Sequence, residues 1–106
     1  MELEEKRLLE SRVTEAIKSI YDPEIPVNIY DLGLIYDIII NDNQAVHVRM
    51  TLTAPNCPVA ESLPVEVRDR IKMVDGVRNA TVEVVLDPPW TMDLMTDAAK
   101  LDLGML

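Results

Sequence analysis

The sequence predicts a small α+β domain with helices laid on a three-stranded sheet. Three observations carry that class. Two separated segments repeat apolar residues at three- and four-residue spacing, as helices with one buried stripe do. Other segments alternate apolar and polar residues with period two, as strands with one buried face do. The chain has 106 residues, 48% of them apolar. That suffices for one core, because a domain typically takes roughly 100–200 residues. The predicted order is helix, strand, strand, helix, strand, helix, in a single domain over residues 1–106.

Leu9, Val13, Ala16, Ile17 and Ile20 form the first stripe, and Asp22-Pro23 ends that helix, since a residue preceding proline is pushed out of helical geometry. The loop Asp22-Pro23-Glu24-Ile25-Pro26-Val27-Asn28-Ile29-Tyr30-Asp31-Leu32-Gly33 is rich in apolar side chains, so part of it is expected to pack down. A strand over Leu34 to Ile40 and a turn at Asn41-Asp42-Asn43-Gln44 follow. In the next strand Val46, Val48, Met50 and Leu52 face one way and His47, Arg49, Thr51 and Thr53 the other, which predicts an antiparallel hairpin. Ala54-Pro55-Asn56-Cys57-Pro58 breaks that strand. Ala60, Leu63, Val67 and Ile71 then space as a helix, in which Pro58 suits the first turn and Pro64 predicts a kink or a delayed start. Asp75-Gly76 closes it. The last strand, Ala80 to Leu86, is expected to bury Ala80, Val82, Val84 and Leu86, and Thr91 to cap a final helix reaching Leu103.

Composition narrows the function classes. With 10 basic and 19 acidic side chains the net charge is 10 − 19 = −9, which disfavours a phosphate backbone, so no nucleic-acid partner is expected. The longest purely apolar run is Ile38-Ile39-Ile40 and the first twenty residues hold no signal core, so neither a membrane partner nor a targeting segment is expected. With Gly33, Gly76 and Gly104 its only glycines, the chain has no glycine-rich phosphate loop. A single cysteine, Cys57, forms no internal disulfide, consistent with a cytoplasmic protein, and cannot fill a thiolate metal site alone.

Cys57 stands between a strand end and a helix start, where free backbone N–H groups favour a thiolate. The same residue can equally be a small buried hydrophobe. The prolines on either side stiffen its backbone and weigh towards chemistry. Asp22 and Glu24 are two carboxylates on one rigid loop, a pattern that serves a metal or, more commonly, a solvated turn. His47 reads as a surface residue of the second strand, too far along the chain from Cys57 for a dyad. Met92, Met95 and Met105 read as packing of the last helix rather than an adaptable surface. Trp90 is expected to anchor the tail on the sheet, and Gly33 to meet a need for positive φ.

These residues add up to three motifs. Asp22-Pro-Glu-Ile-Pro-Val-Asn-Ile-Tyr-Asp-Leu-Gly-Leu-Ile-Tyr-Asp37, then Thr51-Leu-Thr-Ala-Pro-Asn-Cys-Pro58, then Asp87-Pro-Pro-Trp-Thr91 resemble, in that order, the signatures of the SufT/PaaD-like family of iron–sulfur cluster assembly proteins. The resemblance spans about residues 8–103 and suggests a stand-alone member, without a fused ATPase domain or the zinc-binding cysteines of PaaD relatives. Pro64 departs from the family helix. The resemblance implies a factor that matures iron–sulfur proteins rather than an enzyme. It carries the family's reactive cysteine onto Cys57, the preceding threonine onto Thr53 and the acidic loop onto Asp22, Glu24 and Asp31.

An iron–sulfur cluster usually takes four protein ligands. One thiol per chain therefore implies transient or shared ligation, completed by a homodimer, a client's cysteines or a small thiol. The implied partners are apo iron–sulfur proteins and other cluster-assembly components. A thiol enzyme with Cys57 as nucleophile and a pure interaction module stay open beside that reading.

Overall fold

The structure is a computed structural model and describes residues 2–22, 25–53 and 62–105. Cys57, Glu24 and the helix-start residues Pro58 and Ala60 lie outside the described residues. The elements follow the predicted order: α1 (Leu3–Lys18), β1 (Ile35–Ile40), β2 (Ala45–Met50), α2 (Ser62–Lys72), β3 (Asn79–Val84), a 3₁₀ turn at Met92–Leu94 and α3 (Asp97–Asp102). The sheet order is β1-β2-β3. β1 and β2 pair antiparallel, as the hairpin reading expects, and β3 returns parallel to β2 after α2.

One face of the sheet is covered and the other is open. Val46, Val48 and Met50 of β2 and Ala80 of β3 are buried against Leu9, Val13 and Ile17 of α1 and Leu63, Val67 and Ile71 of α2. The opposite face carries a polar row. Arg49 reaches Asp37 Oδ2 at 2.9 Å, and His47 meets Thr81 Oγ1 at 2.7 Å and Glu83 Oε1 at 3.3 Å. His47 is thus a surface residue of the second strand. A bulge at Tyr36 shifts the register between Ile35 and Asp37, so that Ile35 opposes Met50 while Asp37 opposes Arg49.

Several boundaries differ from the sequence reading, each for a tertiary reason. α1 stops at Lys18, ahead of Asp22-Pro23. Past that point Ile20 accepts from the Ile29 N–H, Asp22 donates its N–H to Val27, and Tyr21 bridges Asn28, so the chain leaves the helix to pair with the loop. Thr51 is buried, not outward, because β2 has ended and the Thr51 N–H now donates to Leu34 O at 2.8 Å. β3 ends at Val84, and Val84 and Leu86 are exposed among the described residues. The last helix is split: Thr91 makes no side-chain cap, whereas the Thr96 hydroxyl caps α3 by accepting from Ala99 N. Met95, extended between the two turns, points inward and is buried, while Met92 and Met105 are exposed. Pro64 is the third described residue of α2.

Candidate functional site

The sheet topology brings the three sequence motifs to one end of the molecule. β1 is antiparallel to β2, so its start lies beside the end of β2; β3 is parallel to β2, so both end together. Segments 22–34, 51–53 and 85–91 therefore share an end, and backbone bonds tie them. Thr51 N donates to Leu34 O at 2.8 Å, Val85 N to Met50 O at 2.8 Å, and Leu34 N to Ile29 O at 3.1 Å.

The loop packs down because its apolar residues are the core's lid. Val27, Ile29, Leu32 and Leu34 are all buried. Burying four such side chains, at ~1.5–3 kcal/mol each, offsets much of the entropy lost in ordering the segment that holds them. Gly33 closes the turn with φ +88°, the left-handed region that glycine enters freely. A Cβ there would run into the Leu94 carbonyl, so the tail lies directly on the glycine.

The tail is fastened at three further points. The Trp90 indole Nε1 donates to Leu32 O at 2.7 Å, the Tyr36 hydroxyl donates to Pro88 O at 2.7 Å, and Thr96 N donates to Asp31 O at 2.9 Å. Trp90 thus anchors the tail on the loop rather than on the sheet itself. The sequence reading holds Tyr36 within the first motif but gives it no role, and it missed Leu94 and Thr96 as parts of this end. Trp90 held the available signal, since a half-buried indole N–H seeks an acceptor.

The predicted site residues divide between positions and functions. Asp22 is buried, and its Oδ1 accepts from Ile25 N at 3.0 Å, holding the turn at the head of the loop. Asp31 is half-buried; its Oδ2 accepts from Asn28 Nδ2 at 2.8 Å while Asn28 Oδ1 accepts from Asp31 N at 2.9 Å. The two carboxylates thus brace the two ends of one loop. Thr53 is half-buried at the end of the β2 extension. His47 belongs to the open sheet face and is not part of this end. Among the described residues, no three of His, Cys, Asp and Glu group as a metal site.

Comparison with known proteins finds the same pattern. A model of the family described as iron–sulfur cluster assembly protein matches residues 10–84. A Porphyromonas gingivalis protein named Fe-S protein maturation auxiliary factor is 43% identical over 97 residues, covering 92% of each chain. The Staphylococcus aureus Fe-S protein maturation auxiliary factor SufT is 34% identical, over 81% of this chain and 98% of that one. Among solved structures, a Bacillus anthracis protein described as a domain of unknown function, DUF59, superposes with a TM-score of 0.86 at 32% identity, over 94% of this chain and 95% of that one.

Proposed function

The chain belongs to the iron–sulfur cluster assembly protein family, and from that premise we propose that it matures iron–sulfur proteins as an accessory carrier or adaptor, not as an enzyme. The observation that carries the reading is the convergence of the three motifs on one sheet end, stitched by the Trp90–Leu32, Tyr36–Pro88 and Thr51–Leu34 bonds. In α/β sheets, ligands characteristically meet the protein beyond the carboxyl ends of parallel strands. β2 and β3 are the parallel pair here, and the motif segments lie beyond their ends.

The thiol chemistry follows from the sequence. Cys57 lies in the connection between Thr53 and Ser62 that joins this end of β2 to α2. A thiolate is the soft donor that iron–sulfur cargo prefers, and hard carboxylates such as Asp22, Glu24 and Asp31 are poor substitutes. Asp22 and Asp31 instead brace the loop through their hydrogen bonds to Ile25 N and Asn28. One thiol cannot retain a cluster alone, so the cargo is held transiently, jointly with a client's cysteines or a second copy of the chain. The partners are apo iron–sulfur proteins and cluster-assembly components, met in the cytoplasm.

Cys57→Ser tests this. Cluster delivery to an apo-ferredoxin is expected to fall at least about tenfold, a barrier change of ~1.4 kcal/mol, with an unchanged circular-dichroism melt. Anaerobic reconstitution with iron and sulfide, read by absorption and native mass, then separates carrier from adaptor. Delivery at the original rate by the serine variant would remove the thiol from the mechanism.

A further inference from the structure

The described residues leave one apolar groove at the motif end, where the loop and the tail meet. Tyr30, Gly33, Ile35, Tyr36, Pro88 and Leu94 line it, and its volume is about 420 Å³. The groove is preformed, because the Tyr36–Pro88 bond and the seating of Leu94 on Gly33 fix its two walls. Leu94 is 41% exposed although it is a large aliphatic residue in a braced segment. An exposed apolar wall on a rigid frame marks an interaction surface.

The rim states what kind of partner fits. Asp31, Asp87 and Asp93 each adjoin a lining residue in sequence, next to Tyr30, Pro88 and Leu94. Asp87 and Asp93 are exposed and enter no ion pair among the described residues, and Asp31 is held only by neutral groups. From Asp87 to Asp102 the tail carries four carboxylates against one Lys. Among the described residues, Lys18 lies 5.2 Å over the Tyr30 ring. At this acidic stretch a second copy of the chain, also at −9, is disfavoured as the occupant relative to a basic segment.

We propose that this groove docks the client: it takes an extended segment with an apolar or aromatic anchor flanked by Lys or Arg. The anchor sits between Tyr36 and Leu94, and the flanking cations meet Asp87 and Asp93. This rests on the maturation reading and names the chemistry of its partner. Docking here holds the client beside the end of the sheet from which the Cys57 connection departs. The acidic rim also speeds encounter with basic segments and suppresses association with acidic ones.

The test uses the full chain, labelled for amide NMR and titrated with the peptide Lys-Lys-Leu-Trp-Leu-Lys-Lys and with a control in which Glu replaces every Lys. Saturable shifts at Tyr30, Gly33, Ile35 and Leu94 are expected with the basic peptide alone. Leu94→Ser is expected to weaken binding about tenfold, the loss of most of one apolar contact. The double variant Asp87→Asn/Asp93→Asn, which touches no packing, is expected to weaken it about fivefold, and more at low salt. Absent or unsaturable shifts, equal binding of the acidic control, or groove shifts that follow protein concentration alone would each overturn the proposal, the last by making a second copy the occupant. Delivery to apo-ferredoxin separates the two readings. Leu94→Ser is expected to slow delivery and weaken the peptide shifts, while Cys57→Ser slows delivery at least about tenfold and keeps the peptide shifts. Wild-type delivery by Leu94→Ser overturns client docking and leaves maturation standing. Failure of the unaltered protein to deliver overturns maturation, while the peptide titration still decides the groove.

Discussion

The two ends of the sheet are built by opposite means. At the hairpin end the chain turns with what is locally at hand. Asn41 N donates to Ala45 O at 2.9 Å, Asn43 Oδ1 accepts from Ala45 N at 3.2 Å, and Gln44 takes a positive φ of 66°. A long-range backbone tie there runs from Arg78 N to Gln44 O and seats β3 beside the turn. At the motif end, local loop bonds such as Asn28–Asp31 and Asp22–Ile25 are joined by ties between distant segments. Trp90–Leu32 closes 58 residues and Tyr36–Pro88 closes 52. A turn made of local bonds only reverses the chain. An end made of long-range bonds holds three segments in a fixed relation, as a site requires, at the cost of ordering far more chain.

That contrast makes a ranked set of expectations, each checked against the other end. The largest effect belongs to Ile29→Ala, since Ile29 is fully buried although it sits in a loop. A cost of ~3–4 kcal/mol is expected in urea unfolding; a cost below about 1 kcal/mol would show that the loop is a cover and not core. Gly33→Ala comes next, at ~2–3 kcal/mol, from a positive φ combined with collision against the Leu94 carbonyl. Its distinctive readout is hydrogen exchange, which should accelerate at Thr96 N while the hairpin amides keep their protection. Trp90→Phe keeps a ring but leaves Leu32 O without its donor, for ~1–2 kcal/mol. Loss of stability without faster tail exchange would detach that bond from the bracing of the site.

The smallest effect lies at the hairpin end. Asp42 is held below the ordinary carboxylate range by its hydrogen bond to Lys6 and by the Lys6 charge beside it. A depressed folded value means that the pair's contribution is present above the unfolded carboxylate range. It is lost as pH falls through the folded value. Lys6→Ala should return the Asp42 titration, followed by NMR, towards its ordinary range, with less effect on the melt than any of the three motif-end variants. A larger effect would erase the distinction between the ends, because an exposed pair is worth little.

Much of the fold was legible because its signals are local. The stripe Leu9, Val13, Ile17 and the alternation Val46, Val48, Met50 are periodicities of one element, and all six residues are buried. The positive φ of Gly33 was legible for the same reason. Where the reading erred, a distant segment had intervened. Thr51 kept the strand's alternation on paper, yet its N–H answers to Leu34. Thr91 and Thr96 are both plausible caps, and the bond from Thr96 N to Asp31 O selects the second by fixing where the tail must turn. Leu86 continues an apolar period, but β3 ends at Val84 and Leu86 is exposed beyond it.

The candidate site divides the same way. By itself the sequence determined the class of the domain, the family through its three motifs, and the limit that one thiol per chain sets on holding a cluster. Those follow from residue counts, periods and short motifs, which need no partner segment to be read. Only the tertiary structure decided that the described parts of the three motifs share one end, that Trp90 ties to the loop and not to the sheet, and that Tyr36 and Leu94 line one groove. The physical reason is strand direction. Whether β3 runs with β2 or against it decides which end of the sheet receives the Asp87-Pro88-Pro89-Trp90 tail. That direction is set by how α2 packs between the two strands, and a single sequence does not encode it locally.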